Sequence, residues 1–103
     1  MKRAVGQARR AVEALVAATE EKRPDDELEP LITAAVAKLD QLGGLWETAQ
    51  ERSGVEITTR ANGVAERYRG CTAETFSAKR DSANELAELR GFVRDCNRLF
   101  PDN

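Results

Sequence analysis

Two cysteines, a run of acids and a C-terminal series of arginines are the residues of this chain whose chemistry could go beyond that of a folded surface. Cys71 follows Arg69-Gly70 and stands near a candidate helix start, a setting that stabilises a thiolate. It reads either as a redox-sensing thiol or as a small core residue. Cys96 lies 25 positions further on, which on one continuous helix is roughly 37 Å, beyond disulfide reach. An internal bridge therefore needs a chain reversal, and reduced, packed thiols are expected. Asp25, Asp26, Glu27 and Glu29 could gather a hard cation, but they lack EF-hand spacing, and capping a helix N-terminus explains them as well. Arg90, Arg94 and Arg98 recur every four residues, with no acid four positions before any of them and only Asp95 to relieve Arg98 locally. Such a ridge reads as a contact for phosphate or an acidic partner, or as a solvated flank whose stems cover apolar surface.

Other chemistry is excluded by composition. The chain has no histidine, which removes Ser-His and Cys-His dyads, most zinc sites and the usual general base near neutral pH. Two cysteines without Cys-x-x-Cys spacing make no ordinary structural zinc site. The pair Gly43-Gly44 and the isolated Gly54, Gly63 and Gly70 fit neither a Walker loop nor a dinucleotide fingerprint. A non-enzyme without metal or cofactor is expected.

The elements that must position these residues follow from periodicity. The chain is 103 residues long, 41% hydrophobic and 33% charged, so it reads as one domain, residues 1–103, able to bury about two-thirds of its unfolded surface. Val5, Ala8, Val12, Leu15, Val16 and Thr19 share one stripe, which predicts a helix over 2–22, stopped by Lys22-Arg23-Pro24. Asp25 or Asp26 can cap a second helix, with which the first forms an antiparallel hairpin. That second helix carries Leu28, Leu31, Ile32, Ala35, Val36, Leu39, Leu42, Trp46 and Ala49 on one face and runs to about Arg52. A kink or short break is expected at Gly43-Gly44. Pro30 is read as lying in its first turn.

Residues 55–70 admit two readings. Ile57, Ala61, Val64, Tyr68 and Cys71 fit a helix, whereas alternation from Val55 to Arg60 and the Asn62-Gly63 turn signal fit a β-hairpin. From Thr72 onward Phe76, Ala83, Leu86, Leu89, Val93, Cys96 and Phe100 are expected to face a core. Ser82-Ala83-Asn84-Glu85 matches a capping box, and the last helix ends before Pro101. Phe92 and Leu99 widen its apolar arc to about 140°, broad for a helix with one neighbour. The fold class is mainly α: a compact three- to four-helix bundle.

The net charge of −2 hides an asymmetry of +3 over residues 1–23, −6 over 24–56 and +1 over 57–103. It favours pairing of the first two helices, although exposed ion pairs contribute only about 0 to 1 kcal/mol each. No apolar run suits a membrane span or a secretory signal, and a cytoplasmic location is expected by default. Trp46 reads as a core anchor or as an interface residue. Its setting, Trp46-Glu47-Thr48, lacks the glycine of the small secreted WxG-type hairpins. The layout is similar to small helical antiactivators in size and helix order alone.

These readings lead to a small non-catalytic interaction module of inhibitor, antiactivator or adaptor type, working as a homodimer and binding a protein partner. Its candidate contact residues are Arg90, Phe92, Arg94, Arg98, Leu99 and Trp46. One alternative is nucleic-acid binding through Arg3, Arg9, Arg10 and the arginine ridge, against which a pI near 5.2 speaks. Another is a redox sensor built on Cys71.

Overall fold

The first apolar stripe folds as its spacing requires: Val5, Ala8, Val12, Leu15, Val16 and Thr19 are all buried along α1, Lys2–Glu20, in a computed structural model of the protein. The structure describes residues 1–80 and 83–101. Beyond α1 the Lys22 amide donates to the Thr19 carbonyl at 3.1 Å and the Arg23 amide to the Ala18 carbonyl at 3.0 Å. This paired closure needs a left-handed residue at the first of the two donors, a place usually held by glycine. Here Lys22 takes it, at φ 57°.

Pro24 then occupies the cap position of α2, Asp25–Gly43. The expected cap by Asp25 or Asp26 is thus corrected. Both acids, with Glu27, fill the first helical turn instead, where the exposed amide dipoles favour negative charge. Pro30 is the sixth residue of α2, so it lies beyond the first turn and leaves the Asp26 carbonyl without its helical donor.

The predicted continuation of this helix to Arg52 is also corrected. At the two glycines α2 gives way to a 3₁₀ turn, Gly44–Thr48, and a new helix α3 covers Arg52–Tyr68. The β-hairpin reading of 55–70 is overturned by α3, and no strand occurs among the described residues. Ile57, Ala61, Val64 and Tyr68 are all buried, so the four-three spacing prevails over the local alternation. Asn62-Gly63 lies within the helix, and the Asn62 amide nitrogen reaches back to the Gly43 carbonyl at 3.1 Å. Buried Thr19 and Thr58 return their hydroxyls to the carbonyls of Leu15 and Gly54, each at 2.7 Å, and so leave no polar cost in the core.

Past α3, Gly70 turns the chain at φ 79° into a short α4, Ala73–Arg80, followed by α5, Ala83–Leu99. Phe76 of α4 tilts against Tyr68, ring centroids 5.8 Å apart. The Glu29 carboxylate of α2 accepts the Ala73 amide of α4 at 2.6 Å. Of the expected capping box, Ser82 and the Glu85 side chain lie outside the described residues. Ala83 is exposed and not core-facing as predicted.

The four long helices form an up-and-down ring, in which α1 packs on α2 and α5, and α3 on the same two. Arg9 of α1 reaches Asn97 of α5 while Glu20 meets Arg90, which fixes these helices as antiparallel. The bundle measures 40 × 23 × 21 Å. One end gathers the start of α1, the 3₁₀ turn, the start of α3 and the end of α5. The opposite end carries α4. No helix among the described residues is long and apolar enough to cross a membrane.

Candidate functional site

The arginine ridge of α5 is largely engaged within the fold. Arg90 binds Glu20 of α1, and Arg98 binds Glu56 of α3. The Glu56 carboxylate, by hydrogen bond and by charge, raises the pKa of the Arg98 guanidinium. Arg94 alone of the three has no hydrogen-bonded or charged partner among the described residues. The acids that neutralise the ridge come from other helices, which is why a search four positions along α5 missed them. Arg9 pairs with Glu13 at 3.1 Å and donates to Asn97, and Arg10 donates to the Gly6 carbonyl. Little of the anion-binding surface expected from arginine spacing is therefore unoccupied.

Phe92, placed among the candidate contact residues, is fully buried. The broad apolar arc of α5 is used inside the molecule, because α5 packs between α1 and α3. Phe92 as a docking residue is therefore corrected to a core residue. Leu99 is half-buried against the same core, with Phe100 beside it.

Trp46 takes the opposite course. Expected first as a core anchor, it stands on the 3₁₀ turn with 54% of its surface exposed. The break at Gly43-Gly44 changes the helical phase, so the stripe that buries Leu39 and Leu42 no longer points Trp46 inward. Val55, in the first turn of α3, is 45% exposed, and Met1 is 42% exposed. All three lie at the end of the bundle where α1 starts and α5 finishes.

At that end an open groove of about 530 Å³ runs between the start of α1 and the segment entering α3. Met1, Ala49, Gly54 and Phe100 supply its apolar lining. A β-carbon on Gly54 would meet the Ala49 methyl and the Met1 terminal methyl at 3.4 Å, ordinary contact distance, so the two walls close over this glycine. Lys2 and Glu51 are the charged residues of the lining, one on each wall. Neither has an ion-pair partner among the described residues. A second groove, of about 510 Å³, runs between α1 and α2 over Ala14, Ala17, Pro30 and Leu31. Its rim arginine, Arg23, is already held by Glu21 at 2.9 Å and by Glu27 at 3.8 Å. Sequence reading missed Val55, Lys2 and Glu51. Their only signal was position near element ends, which becomes legible once the antiparallel order is known.

The thiols are both free, Cys71 half-buried and Cys96 buried. Burial pushes the Cys96 thiol up to about 12, so it stays protonated and unreactive near neutral pH. Cys71 borders a pocket with Tyr68, Gly70 and Asp40. In the acidic run, Glu29 is taken by the Ala73 amide. Among the described residues no three acids or thiols converge as metal ligands would.

The fold is that of an antiparallel four-helix bundle with one short extra helix, bearing an apolar, charge-edged end. Comparison with protein families, with curated proteins and with solved structures gives no match.

Proposed function

We propose that the protein is a small non-catalytic interaction module that binds and modulates a protein partner through the end of the bundle bearing Trp46. One observation carries this reading. The chain's single tryptophan is 54% exposed beside two other exposed large apolar residues, Met1 and Val55, at the same end. Exposed tryptophan is costly to leave in water and is the residue type most enriched among energetically dominant interface contacts. The site moves from the α5 face expected from sequence to this end, because Phe92 is internal and two of the three ridge arginines are already paired. Those same ion pairs weigh against nucleic-acid binding.

The test is retention of a partner from host extract by the immobilised protein and by Trp46→Glu and Val55→Glu variants. Ala14→Glu, in the α1–α2 groove, is the control. A partner held by the wild type and the control but lost by Trp46→Glu supports the reading. Equal retention by all four proteins, or none by any, removes it. Blue-shifted Trp46 emission on addition of the purified partner gives an independent readout.

A further inference from the structure

We propose that the groove at the Trp46 end receives a second copy of this chain, related by a two-fold axis that sets Lys2 of each copy against Glu51 of the other. This rests on the reading of that end as the docking surface. A two-fold interface uses the same patch on both partners, so the patch must be complementary to itself. The groove meets that condition. Its two walls carry one charged side chain of each sign, Lys2 from α1 and Glu51 from the entry to α3, above an apolar lining that includes Ala49 and Phe100. Within one copy neither charge is matched, although elsewhere Arg60, Arg69, Arg90 and Arg98 are each matched across helices. Rotation about an axis down the groove brings basic wall over acidic wall twice, and the two apolar linings onto each other.

The magnitude of the association follows from size. The end of the bundle, 23 by 21 Å across, offers on the order of 500 Å² per copy, at the low end for a specific interface. An interface of that size fits a reversible dimer, loosened by added salt as its ion pairs are screened.

Sedimentation of the whole chain from about 5 to about 500 μM brackets the micromolar range in which a weak, reversible dimer assembles. Mass should rise from monomer to dimer. Lys2 and Glu51 are both exposed, so Lys2→Glu and Glu51→Lys should fold as the wild type does, checked by circular dichroism. Each reversal acts at two symmetric contacts and should weaken self-association at least about tenfold. An equimolar mixture of the two variants should dimerise again, because every contact then pairs Glu with Lys. A wild type that stays monomeric throughout, reversal variants that associate like the wild type, or a mixture that fails to recover would each overturn the proposal. A strict monomer whose partner is still lost with Trp46→Glu removes the second copy and leaves the docking reading standing. A dimer that obeys the charge rule, with capture indifferent to Trp46, does the reverse.

Discussion

The side-chain amide of Asn62, within α3, donates to the carbonyl of Gly43 at the end of α2, 3.1 Å away. The contact is so close that a β-carbon on Gly43 would stand 1.9 Å from the Asn62 oxygen. One residue thus ties α3 to the carbonyl at which α2 passes into the 3₁₀ turn, and the other is glycine so that it can be reached. The pair is predicted to be strongly coupled. Gly43→Ala should gain up to about 1 kcal/mol of helix propensity while displacing the Asn62 amide, at a similar or larger cost. In an Asn62→Ala background the displacement disappears, so the same substitution should be more favourable by about 1 to 2 kcal/mol. A double-mutant cycle from urea midpoints measures this, and a coupling near zero contradicts it.

Lys22→Gly should stabilise the protein. Lys22 is held at φ 57°, a left-handed conformation that costs a residue with a β-carbon about 1 to 2 kcal/mol. Glycine adopts it freely, at the expense of greater freedom in the unfolded chain. A net gain of about 1 kcal/mol is expected, a rise of about 4 to 8 °C in Tm for a chain near this size. Calorimetry showing no rise would mean that the turn is not held in this form.

Phe92 and Trp46 should separate cleanly by substitution. Phe92→Ala empties a fully buried site and should cost about 3 to 5 kcal/mol. Trp46→Ala, at a residue 54% exposed, should cost less than about 1 kcal/mol and act on binding instead. Chemical denaturation of both variants decides the matter, and equal losses would count against the placement of either residue.

The two thiols should differ in reactivity and in linkage to pH. Cys71 should be labelled in the native protein, and Cys96 only after opening. Burial raises the Cys96 pKa from 9.0 to about 12, so the unfolded chain loses this proton first as the pH rises. Its contribution to stability is complete below about pH 9 and is lost progressively towards pH 12. Relative to a Cys96→Val variant, the wild type should therefore lose stability across that interval. Parallel curves for the two proteins would refute the linkage.

Removing the Glu29 carboxylate should loosen α4 before the rest of the fold. Glu29→Ala deprives the Ala73 amide of its 2.6 Å acceptor and should cost about 1 to 2 kcal/mol. Hydrogen exchange should show the amides of α4 losing protection while those of α1 keep theirs. A uniform change would mean that α4 opens only with the whole bundle.

The helices were legible in the sequence because burial is periodic: the α1 stripe and the four-three series from Ile57 to Tyr68 point inward as their spacing demands. Misreadings arose where a local signal competes with a distant partner. Asn62-Gly63 carries the chemistry of a hairpin turn, yet Asn62 is used by Gly43, nineteen residues back. Arg90 and Arg98 lack local acids, yet Glu20 and Glu56 arrive from other helices. Phe92 widened the arc of α5 because that helix has two long neighbours, which periodicity within one helix does not reveal. Trp46 left its stripe because the glycine pair changed the helical phase. Spacing therefore showed which segments fold, while the candidate site emerged only from their assembly.

The long-range arginine pairs carry a consequence for how the chain threads itself. Apolar contacts are less directional than ion pairs, so charged partners help to distinguish the native offset of a helix from one shifted by a turn, about 5.4 Å. Such a slide of α5 would strand Arg90 from Glu20 and Arg98 from Glu56 together, against two different helices. The polar rim thus favours the native alignment of the bundle over offset copies of the same topology, by a small increment for each exposed pair.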